Sequence, residues 1–177
     1  MAFALAFAGK IGSGKTALTT ALAQALECKR ASFGDYVRQV VESRALEQTR
    51  ENLQRIGTEI LEHDRFAFCD AVLRHAGWKR GDGLLIDGLR HLETIDPLQQ
   101  LVDPARLKLV YIEISDGTRL ERLQARGEGN PDALAVAEAH SSEKQVAGIL
   151  APRADLIVDG GDPIYENVRR VLEWLRA

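Results

Sequence analysis

The stretch GKIGSGKT, Gly9 to Thr16, carries chemistry in its spacing. It fits the phosphate-loop pattern G-x-x-x-x-G-K-[ST] at every position. Gly9, Gly12 and Gly14 let the backbone curl until successive N–H groups point inward. Those donors, together with the start of a following helix, attract anionic phosphate. The cradle is expected over Gly9, Gly12, Ser13, Gly14, Lys15, Thr16 and Ala17. Lys15 would reach the β and γ phosphates, and the Thr16 hydroxyl would ligate Mg²⁺. ATP and Mg²⁺ are therefore the expected cofactors. A glycine-rich turn holding no nucleotide is the plain alternative. The apolar strand before the match and the helical stretch after it argue against that alternative.

A second candidate for the metal side is Asp87, at the end of LLIDG. A carboxylate at the carboxyl edge of a buried strand beside the loop would hold Mg²⁺ or its water shell. It fits equally an ordinary aspartate in a turn before Gly88. Asp35 and Arg38 lie three apart and share a helix face. As residues alone, they fit a surface ion pair as well as a ligand site. Arg119, Arg122 and Arg126 fall on one stripe of one helix, answered only in part by Glu121 and Glu128. Leu120 and Leu123 lie on another side and are expected to pack inward. A solvated basic face is the alternative for the stripe.

The elements that must position these groups alternate between strand and helix. FALAFAG (3–9) reads as a buried strand and KTALTTALAQALE (15–27) as a helix. CKRAS (28–32), GLLIDG (83–88), LKLVYIEI (107–114) and ADLIVDGG (154–161) read as further strands. Residues 34–77 are mostly helical, with few breakers, and too long for one crossover helix. PIYENVRRVLEWLR (163–176) is an amphipathic closing helix with Pro163 at its start. Repeated β-α units imply a mostly parallel sheet covered by helices.

Composition sets the frame. The chain has 177 residues, 45% of them hydrophobic, enough for one sizeable core. Its net charge of −3, from 23 basic and 26 acidic residues, argues against nucleic-acid binding through bulk electrostatics. Arg outnumbers Lys by 17 to 6, which suits phosphate chemistry and suits a GC-rich genome equally. Cys28 and Cys69 show no metal or redox spacing, so reduced thiols and a cytoplasmic setting are expected. No apolar run reaches membrane-spanning length.

Several segments resemble those of known kinases. SFGDYVRQVV (32–41) resembles the S-x-G-D-x-x-R segment of adenylate-kinase-like nucleoside monophosphate kinases. The resemblance implies that Arg38 clamps an acceptor phosphate and Asp35 faces the magnesium waters. DGLRHLET (87–94) resembles the D-G-[FY]-P-R segment, without its Pro and with Arg90 one position early. TRENLQRIGTEI resembles the R-x-x-L-Q-x-x-G segment of deoxynucleoside monophosphate kinases and dephospho-CoA-kinase-like proteins, which makes Arg50 a third acceptor-phosphate candidate. RLERLQAR resembles the lid-side R-x-x-x-R motif of adenylate-kinase-like enzymes, with Arg122 and Arg126 matching. Such arginines would neutralise charge on the transferring phosphoryl group. Downstream only His140 and Lys144 are available where family lids carry more Arg. APRADLIVDGG (151–161) resembles the strand and loop flanking the adenine, where Arg153 would stack on the base or lie exposed.

The resemblance runs along nearly the whole chain, in order. It implies a single domain over 1–177 with a three-layer α/β/α P-loop NTPase fold and a five-stranded sheet in order 2-3-1-4-5. A helical acceptor-binding region is expected at about 34–80 and a short lid at about 119–148. The implied activity is ATP-dependent phosphoryl transfer to a small phosphorylated, nucleotide- or nucleoside-type acceptor, with Lys15, Asp35, Arg122 and Arg126 as catalytic residues. Asp35, Arg38, Arg50 and Arg90 would bind the acceptor, and Thr16 and Asp87 the metal. A dephospho-CoA-kinase-like enzyme, in which Asp35 takes a ribose hydroxyl's proton, is the second reading. A regulatory P-loop NTPase with little transfer activity is the third. A GTPase switch is disfavoured because no N-K-x-D motif is present. A monomer or homodimer, without nucleic acid or membrane partners, is expected.

Overall fold

Alternation along the first strand decides the layering. In the computed structural model, which describes residues 2–127 and 146–177, strand β1 spans Ala4–Ala8 and is buried along its whole length. Ala4, Ala6 and Ala8 face one side of the sheet, and Leu5 and Phe7 face the other. A strand covered on both faces must be apolar at every position, which is why it reads as a continuous run.

The remaining strands are β2 (Lys29–Ser32), β3 (Leu84–Asp87), β4 (Leu107–Glu113) and β5 (Leu156–Asp159). They form one sheet in the order β2-β3-β1-β4-β5, as expected. Every pairing in it is parallel. Phe7 and Ser32 both stand in register with Asp87. The carboxyl ends of three strands therefore meet beside the glycine-rich loop, where open parallel sheets bind ligands.

Helix α1 (Lys15–Ala25) and helix α7 (Ile164–Arg176) cover one face. Leu18, Leu22 and Val171 seal them onto Leu5, Phe7 and Ile112. The other face carries α2 (Phe33–Ser43), α3 (Arg50–His63), α4 (Arg65–His75) and α5 (Ile95–Val102). The small side chains of Ala4, Ala6 and Ala8 lie under that layer, which Phe33, Val37, Ile56, Phe68 and Val72 fill. Phe33 and Phe68 meet edge to face, with ring centroids 5.1 Å apart, and tie α2 to α4.

The helical stretch after β2 resolves into three helices, each opened by its own cap. The Ser32 hydroxyl accepts from the Asp35 N–H at 3.1 Å, and the Thr49 hydroxyl from the Asn52 N–H at 3.2 Å. Asp64, in extended backbone, closes α3 and caps α4 by accepting from the Ala67 N–H at 2.9 Å.

Helix α6 (Asp116–Ala125) follows β4, with Ser115 accepting from the Thr118 N–H at 3.2 Å. Val146–Leu150 forms a single wide turn, and its buried Val146 and Leu150 join the α2–α5 core. Most of the expected lid, including Glu128, His140 and Lys144, lies outside the described residues. Cys69 is buried, Cys28 is partly buried, and both are free thiols. Among the described residues no helix is long and apolar enough to cross a membrane.

Candidate functional site

The loop between β1 and α1 is held tightly from three sides. Gly14, at the helix entry, is left-handed with φ 94°, and no side chain caps α1. A Cβ on Gly9 would lie 2.7 Å from the Ile112 carbonyl oxygen of β4. Glycine at these positions is a steric requirement of the turn. Lys15 is almost buried, and its Nζ donates to the carbonyls of Gly9 at 2.5 Å and Lys10 at 2.9 Å. Burial pushes the Lys15 amine down from its ordinary 10.5 to about 7. The neighbouring positive charge of Arg90 contributes to that shift, and Asp87 opposes it.

Beside the loop, the Thr16 hydroxyl donates to Asp87 Oδ2 at 3.0 Å, and Asp87 is buried. The structure thus brings the two metal-side candidates together. A hydroxyl and a carboxylate are hard oxygen donors of the kind Mg²⁺ takes, commonly alongside substrate phosphates. Among the described residues no group of three or more His, Cys, Asp or Glu is assembled to hold a metal.

Arg30 also belongs to this site, and the sequence reading missed it. Its Nε donates to Thr19 Oγ1 at 2.9 Å, its Nη1 to Asp35 Oδ2 at 3.1 Å, and its Nη2 closely to Asp87 Oδ2. The signal lay in register. Ser32 pairs with Asp87, so Arg30, two residues earlier, is on the same face of the sheet. That signal needs the β2–β3 pairing before it can be seen.

Toward α2 and α3 the loop opens into a cavity of about 650 Å³. Lys15, Thr16, Arg38, Arg50 and Arg90 all line it. Phe33, Val37, Leu53 and Phe68 give it apolar walls. Burial lowers Arg90 to about 10, and the charges of Arg50 and Arg38 depress it too, against an opposing pull from Asp87. Arg38 also pairs with Asp35 at 2.8 Å, both half exposed, so the surface ion pair and the cavity wall coexist in one residue. Asp35 and Asp87 are not among the residues lining the cavity.

The stripe on α6 divides. Arg119 is buried, with Nη2 donating to Asp116 Oδ1 at 3.3 Å and its stem packed over Gly12. Leu123 packs inward beside it, as expected, but Leu120 is exposed. Arg119 and Leu123 share the face on the loop, and Leu120 is turned about 100° away from Arg119. Arg122 and Arg126 line a smaller hollow of about 150 Å³ with Ser13, Gly14, Asp162 and Asn167. Arg126 lines both cavities. Arg153 is exposed.

Comparison with known proteins agrees with this architecture. The AAA domain family matches residues 5–147. A UPF0200 protein of Aeropyrum pernix is 30% identical over 160 residues, 89% of this chain and 84% of that protein. Matches to UPF0200 proteins of Hyperthermus butylicus and Pyrobaculum aerophilum span 66% of their length. An adenylate kinase of Synechococcus is 28% identical over 171 residues, covering 94% of this chain and 84% of that enzyme. Among solved structures, a gluconokinase from Sinorhizobium meliloti superposes with a TM-score of 0.63 at 19% identity, over 99% of this chain and 92% of that one. At that identity the likeness is one of fold, the fold of P-loop kinases. With the family match covering most of its length and a UPF0200 relative aligned nearly end to end, the chain belongs to the AAA domain family and to the UPF0200 proteins.

Proposed function

We propose that the chain is an ATP- and magnesium-dependent phosphotransferase whose acceptor is a small phosphorylated molecule of nucleotide or nucleoside type. The observation that carries this is one cavity holding Lys15 and Thr16 together with Arg38, Arg50 and Arg90. Arg38 and Arg50 crowd the buried Arg90 with positive charge, and an anion with several oxygens would relieve it; phosphate matches the guanidinium fork. The adenylate kinase relative supports a phosphorylated acceptor, and the gluconokinase neighbour shares only the fold.

On this reading the loop and Lys15 hold the polyphosphate of ATP, and Thr16 and Asp87 would hold Mg²⁺. The ion, when bound, neutralises charge developing on the phosphate oxygens. Arg38, Arg50 and Arg90 orient the acceptor phosphate in line. Asp35 keeps Arg38 aimed through their ion pair. Arg122 and Arg126 approach the transferring group from α6 and stabilise its charge. Residues 34–80 serve as the acceptor wall, and about 119–148 serve as the lid within one domain.

The test is ADP formation with ATP and a panel of acceptors: nucleoside monophosphates, dephospho-CoA, gluconate and shikimate. Turnover with a nucleoside monophosphate is expected. Turnover with gluconate or shikimate alone would overturn the phosphorylated-acceptor reading. ATP hydrolysis indifferent to every acceptor would favour a regulatory NTPase.

A further inference from the structure

Arg30 holds two carboxylates, Asp87 beside the phosphate loop and Asp35 at the start of α2. Its three donor nitrogens reach Thr19, Asp35 and Asp87, on three different elements. The Asp87 oxygen that Arg30 grips is the same one that accepts the Thr16 hydroxyl. The Arg30 side chain is 18% exposed and that of Asp87 only 5%, so solvent screens this contact little. Asp35, at 48%, is the wet end of the network.

We infer that Arg30 is the positioning residue of the metal side, and that it makes divalent-metal binding conditional on nucleotide. The inference rests on the assignment of Thr16 and Asp87 to Mg²⁺. Two carboxylates and a hydroxyl without a cation would draw a free divalent ion. A guanidinium already placed on them cancels that pull. Its fork spans Thr19, Asp35 and Asp87, and the arm on Asp87 keeps that oxygen facing the Thr16 hydroxyl. A metal arriving with a nucleotide brings phosphate oxygens as further ligands, and it no longer depends on the carboxylates' charge. Lysine would keep the charge and lose the fork, because its ammonium is a point donor on a flexible stem.

The measurement is Mn²⁺ binding by electron paramagnetic resonance, with and without ATP, on the wild-type chain and on Arg30→Gln and Arg30→Lys. Wild type is expected to bind free Mn²⁺ weakly and to bind it tightly once ATP is present. Arg30→Gln should bind free Mn²⁺ roughly tenfold tighter or more, the scale on which a guanidinium shifts a neighbouring carboxylate's affinity for a cation. Arg30→Lys should stay close to wild type in free-metal binding. Asp87→Asn placed in the Arg30→Gln chain should abolish the gain. The inference is overturned if wild type binds free Mn²⁺ as tightly as with ATP, or if Arg30→Gln gains nothing. It is equally overturned if Arg30→Lys gains as much as Arg30→Gln. If Arg30→Gln fails to fold, tight free-Mn²⁺ binding by wild type would still overturn the inference. Failure of the metal-side assignment itself shows differently: Asp87→Asn alone would then bind Mn²⁺ with ATP as wild type does.

Discussion

Lys15 is a cation kept in a place that disfavours its charge. Its folded pKa of about 7 lies below the ordinary 10.5, so between those values the unfolded chain holds the proton and the folded chain does not. By linkage, its burial costs stability below about pH 7, and that cost fades as pH rises toward 10.5. A polyphosphate beside the amine reverses the shift. At pH 8 nucleotide binding should therefore take up roughly one proton, and affinity should weaken as pH rises through 7. Calorimetry in two buffers of different ionisation enthalpy measures the uptake, and Lys15→Met should abolish it. Lys15→Ala should also cut transfer by about 10²–10³, with far-ultraviolet circular dichroism unchanged. Arg38→Ala should raise the acceptor KM by roughly 10-fold or more, the worth of a charge-assisted bond, with ATP affinity by titration nearly constant. A fall in ATP affinity would move Arg38 out of the acceptor site. At this scale the loop residues were legible because their spacing is local. Arg30 was not, because its partners lie 5, 11 and 57 positions away and only strand register unites them.

Elements matter here through their ends. The turn after β5 is pressed onto the phosphate loop: a Cβ on Gly160 would sit 2.7 Å from the Ser13 carbonyl oxygen and 3.0 Å from that of Glu113. Both obstacles are backbone and cannot swing aside. Gly160→Ala should destabilise the chain by about 1–3 kcal/mol, as overpacking does, and should weaken nucleotide binding because the loop itself must shift. Thermal melting and nucleotide titration check the two parts, and a normal melt with normal binding would mean the turn yields freely. Strands β1, β3, β4 and β5 were readable from their apolar runs, whereas β2 carries Lys29 and Arg30 and was readable only as a short candidate after a helix. The division of residues 34–77 was harder. Its boundary at Asp64 is a single residue that ends one helix and starts the next without a glycine or proline. Leu120 misled because a leucine beside a buried arginine looks like core until the helix is rotated into place.

Across the molecule, Arg126, just past the end of α6, lines both hollows flanking the loop, and Arg122 on α6 lines the smaller one. Changing Arg122 and Arg126 together to Gln should lower kcat by about 10²-fold while ATP Kd moves little, if their contacts strengthen in the transition state. Single-turnover transfer beside equilibrium binding separates the two. An unchanged rate would return the pair to the solvated face. The strand order has a consequence of another kind. β1 lies at the centre of the sheet, and its neighbours are β3, beginning at Leu84, and β4, beginning at Leu107. On the ribosome the central strand therefore emerges before both of its partners. No nascent chain shorter than about residue 113 can flank it on both edges. Long-range pairing of this sort is slow and leaves apolar surface open to wrong associations during synthesis. A chain released at Arg106 should be unfolded and protease-sensitive, because ALAFA has no partner on its second edge until β4 has been made.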